Sequence, residues 1–532
     1  MENFATLEDD ARQICTIPNH CSQVLYLTVI QNQIAPLARS LFRFNETQTM
    51  TINPELFATE SYVDGQWLAS STRFDVTNPA TGELLAQIAD GTVATAEQAV
   101  AAAKRALPAW RAKSANERAI LLRRWHDLMI QYKADLALIM TLEQGKPLAE
   151  ATAEVGYGAS FVEWFAEEAK RVYGETIPSP SADRRYVVIK QPVGVVAAIT
   201  PWNFPNSMIT RKAAPALAAG CTFVIRPASE TPLSGLALAK LAEMAGIPAG
   251  VFNIVVGSDA RGIGKVLTES PDVAKFSFTG STPVGKLLIA QAASTVKKVS
   301  MELGGNAPFI VFDDADIDAA VKGAMMSKYR NAGQTCVCTN RFLVQDSVYD
   351  VFVEKLTAAV QQLTVGNGMA EGTIIGPLIH PQAMAEIDRK VQASVALGAQ
   401  VVTGGAPHAL GGSFYQPTVL TQVTNDMPIA KLEIFGPVSA VMKFSREADA
   451  IAIANDTEFG LAAYFYARDI GRIWRVAEAL EYGMVGINEG IISNTAAPFG
   501  GMKSSGLGRE GSKHGIDEYL EIKYLCMGGL DS

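Results

Sequence analysis

The chain has 532 residues, enough for two or three domains, and its 48% hydrophobic and 19% charged composition is that of a globular protein. Its 45 basic and 54 acidic residues leave a net charge of −9 with no basic tail, which argues against nucleic acid as a partner. The six cysteines (15, 21, 221, 336, 338 and 526) form no disulfide framework, and no apolar run approaches the ~20 residues of a membrane span, so a reducing cytoplasm is expected.

Residues 1–49 differ in character from the rest of the chain. Glu2, Glu8, Asp9 and Asp10 precede a short apolar stretch from Val24 to Ile30, a pattern unlike a signal peptide or a mitochondrial presequence. The expectation is a dispensable extension with the functional start at Met50; the competing reading is an arm packed on a neighbouring subunit. From Ala94 to Tyr173, apolar residues recur at three-to-four spacing, as in Leu121, Leu122, Trp125, Leu128 and Met129, and predict helix. Short apolar runs then alternate with helical stretches. Strands are predicted at 193–200, 222–226, 251–256 and 274–278, with helices at 206–219, 232–245 and 283–293. This rhythm argues for a parallel sheet covered on both faces. It resumes after Ala307, with strands at 309–312 and 342–345 and helices at 316–329 and 348–363, which predicts a second α/β domain and a boundary near Gly304-Gly305. At the C-terminus Leu520, Ile522 and Tyr524 alternate with Glu521 and Lys523, a strand that 186–190 could pair with.

Chemistry concentrates in Arg330-Asn-Ala-Gly-Gln-Thr-Cys-Val-Cys-Thr-Asn-Arg341. Cys336 is the candidate nucleophile, in a polar segment ill suited to a core. A thiol that attacks a carbonyl needs a base or a lowered pKa. None of the five histidines lies nearby in sequence, leaving backbone N–H groups, an amide or a distant carboxylate as helpers. A second segment, Gly280-Ser-Thr-Pro-Val-Gly-Lys286, succeeds a predicted strand and matches part of a phosphate loop. Leu287 stands where a magnesium-binding hydroxyl is required, so the nucleotide-triphosphatase reading fails. A glycine turn into a helix N-terminus remains, which suits a pyrophosphate.

Six segments together resemble the aldehyde dehydrogenase superfamily from about Ser61 to Met527. They are the cysteine segment, Thr200-Pro-Trp-Asn-Phe-Pro205, Phe278-Thr-Gly-Ser-Thr282, Met301-Glu-Leu-Gly-Gly305, Glu433-Ile-Phe-Gly-Pro437 and Pro498-Phe-Gly-Gly501. The Cys-x-Cys form looks most like the succinate-semialdehyde dehydrogenase branch. The resemblance implies an α/β fold with two doubly wound parallel-sheet domains. A Rossmann-like cofactor domain (50–182 and 198–304) would precede a catalytic domain (305–512). A small β bridging element (183–197 and 513–532) would join subunits into a homodimer or homotetramer.

The same resemblance implies the site. Cys336 would form a thiohemiacetal and then a thioester, Asn203 would stabilise the oxyanion, and Glu302 would activate water. NADP+ or NAD+ would meet Pro201, Trp202, Arg226, Ser229, Gly280, Ser281, Glu433 and Phe435. Arg226 and Ser229 replace a commoner Lys and Glu; a fork-shaped cation and an uncharged neighbour favour a 2′-phosphate, hence NADP+. Arg211, Arg330 and Ser493 would bind the carboxylate of succinate semialdehyde, with glutarate semialdehyde the nearest rival. Cys338 is a redox-switch candidate, and no metal is expected. Two other classes stay open: a thiol acyltransferase or peptidase, and a non-catalytic binding protein on the same fold.

Overall fold

The computed structural model describes residues 51–530, so the expected extension 1–49 lies outside the described residues. Two large sheets and two small ones organise the described chain. In the eight-stranded sheet, five strands run parallel in the order Lys298–Glu302, Val273–Thr279, Val195–Ile199, Thr222–Arg226 and Phe252–Ile254. Their side chains are apolar and mostly buried, as a sheet covered on both faces requires. Helices Ser207–Ala219, Pro232–Met244, Ala260–Glu269 and Thr282–Ala292 make the crossovers.

The chain order proceeds outward from Val195–Ile199 in one direction and then returns to its other side. The reversal falls between Val195–Ile199 and Val273–Thr279, and ligands of such sheets bind beyond the carboxyl ends of the strands at that switch. Pro201, Trp202 and Asn203 come soon after Ile199, Arg226 closes its strand, Gly280 comes directly after Thr279, and Glu302 is a strand's last residue. Most of the expected cofactor segments thus converge on one crevice through topology alone.

A seven-stranded sheet runs Gln400–Thr403, Thr418–Thr421, Val438–Phe444, Thr339–Gln345, Ala307–Val311, Ala462–Tyr466 and Met484–Ile487. All its neighbours are parallel except the first pair. Its core is aromatic: Phe309 stacks on Tyr466 with centroids 5.2 Å apart and lies 5.3 Å from Phe342. Glu302 ends a strand of the first sheet and Ala307 begins one of the second, so the two sheets change over across Gly304-Gly305.

The helical region contains four helices, Val93–Ala112, Ala115–Gln131, Lys133–Gln144 and Leu148–Glu168. Ser114 and Glu117 form a reciprocal capping box at the second. Gly145, at φ 93°, ends the third in the left-handed conformation that glycine tolerates. Leu520–Met527 pairs antiparallel with Arg185–Pro192, which also pairs with Glu175–Ile177. Ile522 and Tyr524 on it are 72% and 55% exposed, leaving an uncovered apolar surface.

Two expected boundaries are corrected. The segment 183–197 cannot all belong to the bridging element, because Val195–Ile199 is a central strand of the eight-stranded sheet, buried and apolar on both faces. Within 305–512, Gly506–Leu507 returns to pair antiparallel with Lys298–Glu302, and this return carries Glu510 toward Glu302. Among the described residues no helix is long and apolar enough to cross a membrane.

Candidate active site

Helix Ile317–Tyr329 ends just before Arg330, and the chain then makes an abrupt turn. Asn331, Ala332 and Gly333 have φ of 52°, 53° and 77°. Left-handed backbone costs a non-glycine residue roughly 1–2 kcal/mol, so surrounding contacts must hold it. The Asn331 N–H donates to Glu150 Oε2 at 2.8 Å, and its side chain donates to the Asn203 carbonyl at 2.9 Å and accepts from Gln144 Nε2 at 3.1 Å. At Gly333 a Cβ would lie 2.1 Å from the Gly436 carbonyl, so only glycine fits. This turn places Cys336, half-buried, ahead of strand Thr339–Gln345.

Burial and the carboxylates of Glu433 and Glu302 push the Cys336 thiol up to about 12, while Arg211 and Arg330 pull the other way. Cys338 is a free, buried thiol facing away from that chemistry. It donates to the carbonyls of Ser327 and Lys328 at 3.0 and 2.9 Å.

Asn203 is 3% exposed and donates through Nδ2 to the Gln334 carbonyl at 3.0 Å, which leaves its second amide hydrogen unused. Its own carbonyl accepts from Lys146 Nζ at 2.8 Å. Lys146 is buried in an ion pair with Glu154, whose other oxygen accepts the N–H groups of Asn206 and Ser207 at 3.0 and 3.2 Å. A buried ion pair therefore fixes both Asn203 and the start of the helix that carries Arg211.

Glu302 is 3% exposed, and neither carboxylate oxygen has a hydrogen-bond partner among the described residues. Burial, then the neighbouring Glu510 charge, raises its pKa well above the ordinary carboxylate range. Burial would also raise Glu510, but Lys212 and Arg211, each 2.5 Å away, hold it below that range. The two neighbouring carboxyls are thus driven apart, Glu302 upward and Glu510 downward.

The expected substrate cations are arranged differently from one another. Arg211 is ion-paired through Nε to Glu510, lies 4.1 Å from the Phe499 ring and 5.4 Å from Phe161, and keeps a buried Nη2 without a hydrogen-bond partner. The low-dielectric interior demands the Glu510 counter-ion for Arg211. Arg330 forms no ion pair among the described residues; its guanidinium lies 5.4 Å over the Phe204 ring. Ser493 makes no hydrogen bond to either arginine. It sits two residues before Thr495, whose hydroxyl is 2.6 Å from that of Ser160.

Of the residues expected to meet the cofactor, Trp202, Arg226 and Gly280 lie at or just past strand ends of the eight-stranded sheet. Trp202 meets Phe435 edge-on at 5.6 Å. Glu433 accepts the Gly305 N–H at 3.0 Å, and burial raises its carboxyl to about 7. Ser281 caps helix Thr282–Ala292 without a side-chain cap bond, so its hydroxyl and the first helical N–H groups are available to a pyrophosphate. Arg226 donates to the Gly257 carbonyl at 2.9 Å and has a buried, unpartnered Nε; the Ser229 hydroxyl donates to Glu230 Oε2 at 3.4 Å. These unpaired donors and the open helix start fit a dinucleotide. No group of metal-ligating side chains occurs among the described residues.

Sequence reasoning missed Lys146, Glu154, Lys212 and Glu510. Lys212 adjoins Arg211, and Glu510 lies in a glycine-rich Gly-Leu-Gly-Arg-Glu-Gly run, but neither signal points to Glu302.

Residues 67–525 match the aldehyde dehydrogenase family. The chain is 61% identical to glutarate-semialdehyde dehydrogenase of Pseudomonas aeruginosa over 478 residues, covering 90% of this chain and 99% of that protein. It is 62% identical to 3-sulfolactaldehyde dehydrogenase of Pseudomonas putida over 481 residues, again 90% and 99%. The crystal structure of succinate-semialdehyde dehydrogenase from Burkholderia pseudomallei superposes with a TM-score of 0.89 at 58% identity, covering 90% of this chain and 99% of that one. The chain belongs to the aldehyde dehydrogenase family and is an NAD(P)+-dependent oxidoreductase of aldehydes.

Proposed function

We propose that this chain oxidises a short aldehyde carrying an anion at its far end, a semialdehyde of the glutarate or succinate type, to the acid. The observation that carries this reading is the pair of arginines beside the thiol. Arg211, with a free Nη2, and Arg330, with no ion pair among the described residues, both act on Cys336 electrostatically. An anionic tail can pair with the Arg330 guanidinium and the unpartnered Nη2 of Arg211, whereas a neutral aldehyde leaves both without a partner. The glutarate- and succinate-semialdehyde and 3-sulfolactaldehyde relatives share that anionic tail and differ in length and acid group.

The Cys336 thiol releases its proton to solvent, the Arg211 and Arg330 charges favouring the thiolate, and Sγ attacks the aldehyde carbon. The oxyanion formed is met by the free Asn203 amide hydrogen and the Cys336 N–H. Bound NAD(P)+ supplies the hydride acceptor, held by Trp202, Arg226, Ser281, Glu433 and Phe435. The thioester left on Cys336 is hydrolysed by a water that gives its proton to the Glu302 carboxylate, which burial and the Glu510 charge make more basic than an ordinary one. Arg226 and Ser229 favour NADP+ over NAD+. The exposed apolar strand Leu520–Met527 serves homo-oligomer assembly.

Reduced-nicotinamide absorbance with glutarate semialdehyde, succinate semialdehyde, 3-sulfolactaldehyde and neutral aldehydes of matching length, beside a Cys336→Ala control, tests this. Anionic substrates are expected to lead in kcat/KM, and the control to be inactive. Equal kcat/KM on the neutral aldehydes would remove the anion-site reading.

A further inference from the structure

One polar group at the site has no role in that chemistry. Tyr157 lies on helix Leu148–Glu168, and its buried hydroxyl has no hydrogen-bond partner among the described residues. Arg211, Arg330, Glu510 and Cys336 all act on it electrostatically, so the phenol shares the electrostatic surroundings of both arginines and the thiol.

The helix face that carries it is turned to the site by three independent contacts. Phe161, one turn on, meets the Tyr157 ring edge-on at 4.9 Å and lies 5.4 Å from the Arg211 guanidinium. Ser160, on the same face, is 2.6 Å from the Thr495 hydroxyl, which ties the helix to the loop bearing Ser493. Gly158 lets the helix approach so closely that a Cβ there would lie 2.2 Å from Asn206 Oδ1, at the start of the Arg211 helix. Burial raises the phenol pKa, so the group stays a hydrogen donor. A buried hydroxyl without a partner is costly, and its absence from every internal hydrogen bond points to a partner that arrives with the substrate.

We infer that Tyr157 is a specificity-determining residue whose hydroxyl donates to the anionic tail of the substrate, between Arg211 and Arg330. The inference rests on the anion-site reading above, and it adds a neutral donor that no sequence motif assigned. A phenol donor shortens the reach required of the two guanidiniums and rewards an oxygen anion, whether carboxylate or sulfonate.

The test is the ratio of kcat/KM for glutarate semialdehyde to that for pentanal, in wild type and in Tyr157→Phe. Loss of one hydrogen bond to a charged group is expected to lower the ratio roughly tenfold or more, mainly through KM of the semialdehyde. A second readout needs no turnover. Glutarate should raise the thermal midpoint of wild type and raise that of Tyr157→Phe less. A wild-type preference that Tyr157→Phe retains in full, with an equal glutarate shift, overturns the role of Tyr157 alone. A wild type with no preference for the semialdehyde overturns the anion site and Tyr157 together.

Discussion

Replacing Lys146 with Met tests how the site is held in place. Lys146 and Glu154 are 2% and 4% exposed, so the pair is desolvated. Burial pulls the Lys146 ammonium pKa down, and Glu154 is the charge that opposes this. Removing one partner of a buried ion pair costs about 3–5 kcal/mol, because the other charge is stranded. Here Glu154 keeps the N–H groups of Asn206 and Ser207 as partners, so the lower end, about 3 kcal/mol, is expected. The substitution also removes the bond from Lys146 Nζ to the Asn203 carbonyl. Deleting an oxyanion donor outright costs roughly 10²–10³ in kcat; a displaced donor should cost about tenfold. Thermal unfolding and steady-state kinetics read the two effects. The double variant Lys146→Met/Glu154→Gln should recover stability while kcat stays low, since a neutral amide oxygen removes the stranded charge and can still accept the Asn206 and Ser207 N–H groups but does not anchor Asn203. A single variant with an unchanged midpoint, or a double variant no more stable than the single, would refute the reasoning.

The same geometry sets other outcomes. Glu302, with its pKa raised, is protonated and inactive as a base below that pKa; turnover should rise with pH through the raised range, and Glu302→Gln should lose that limb and accumulate thioester, visible as a burst without turnover. Arg330→Ala should raise KM strongly for a semialdehyde and little for a neutral aldehyde; equal effects on both would argue against an anion contact. Ser229→Glu places a carboxylate beside Arg226 and should raise KM for NADP+ about tenfold relative to NAD+, whereas an unchanged ratio would remove Ser229 from cofactor choice. Cys338 must give up two carbonyl hydrogen bonds to reach Cys336, so a Cys336–Cys338 bond requires the loop to move. Peroxide inactivation reversed by dithiothreitol equally in wild type and Cys338→Ala would end the switch idea.

How much of this was legible without coordinates depends on the range of each interaction. The strand-and-helix rhythm comes from local periodicity, so the two α/β units were readable, and so was the placing of Gly280 just past a strand; the strand that ends in Glu302 was not. The left-handed turn before Cys336 was only a third readable. Gly333 signals it, but Asn331 and Ala332 adopt the same region because Glu150, Gln144 and Asn203 hold Asn331 there. Phe435, at φ 55°, gives no sequence hint of its conformation either.

Charge compensation was the least readable feature. Arg211 was expected as a substrate cation with no counter-ion named, and Glu510 reaches it on a segment that first pairs with the strand ending in Glu302. That single pairing decides three properties at once. It anchors Arg211 so that only part of its fork is left for an anion, it holds the Glu510 pKa down beside Lys212, and the Glu510 charge helps raise the Glu302 pKa. A base, a counter-ion and a substrate cation are thus one electrostatic unit. Substitution of any one of them should alter the pH dependence of the others, a coupling that no spacing of residues along the chain encodes.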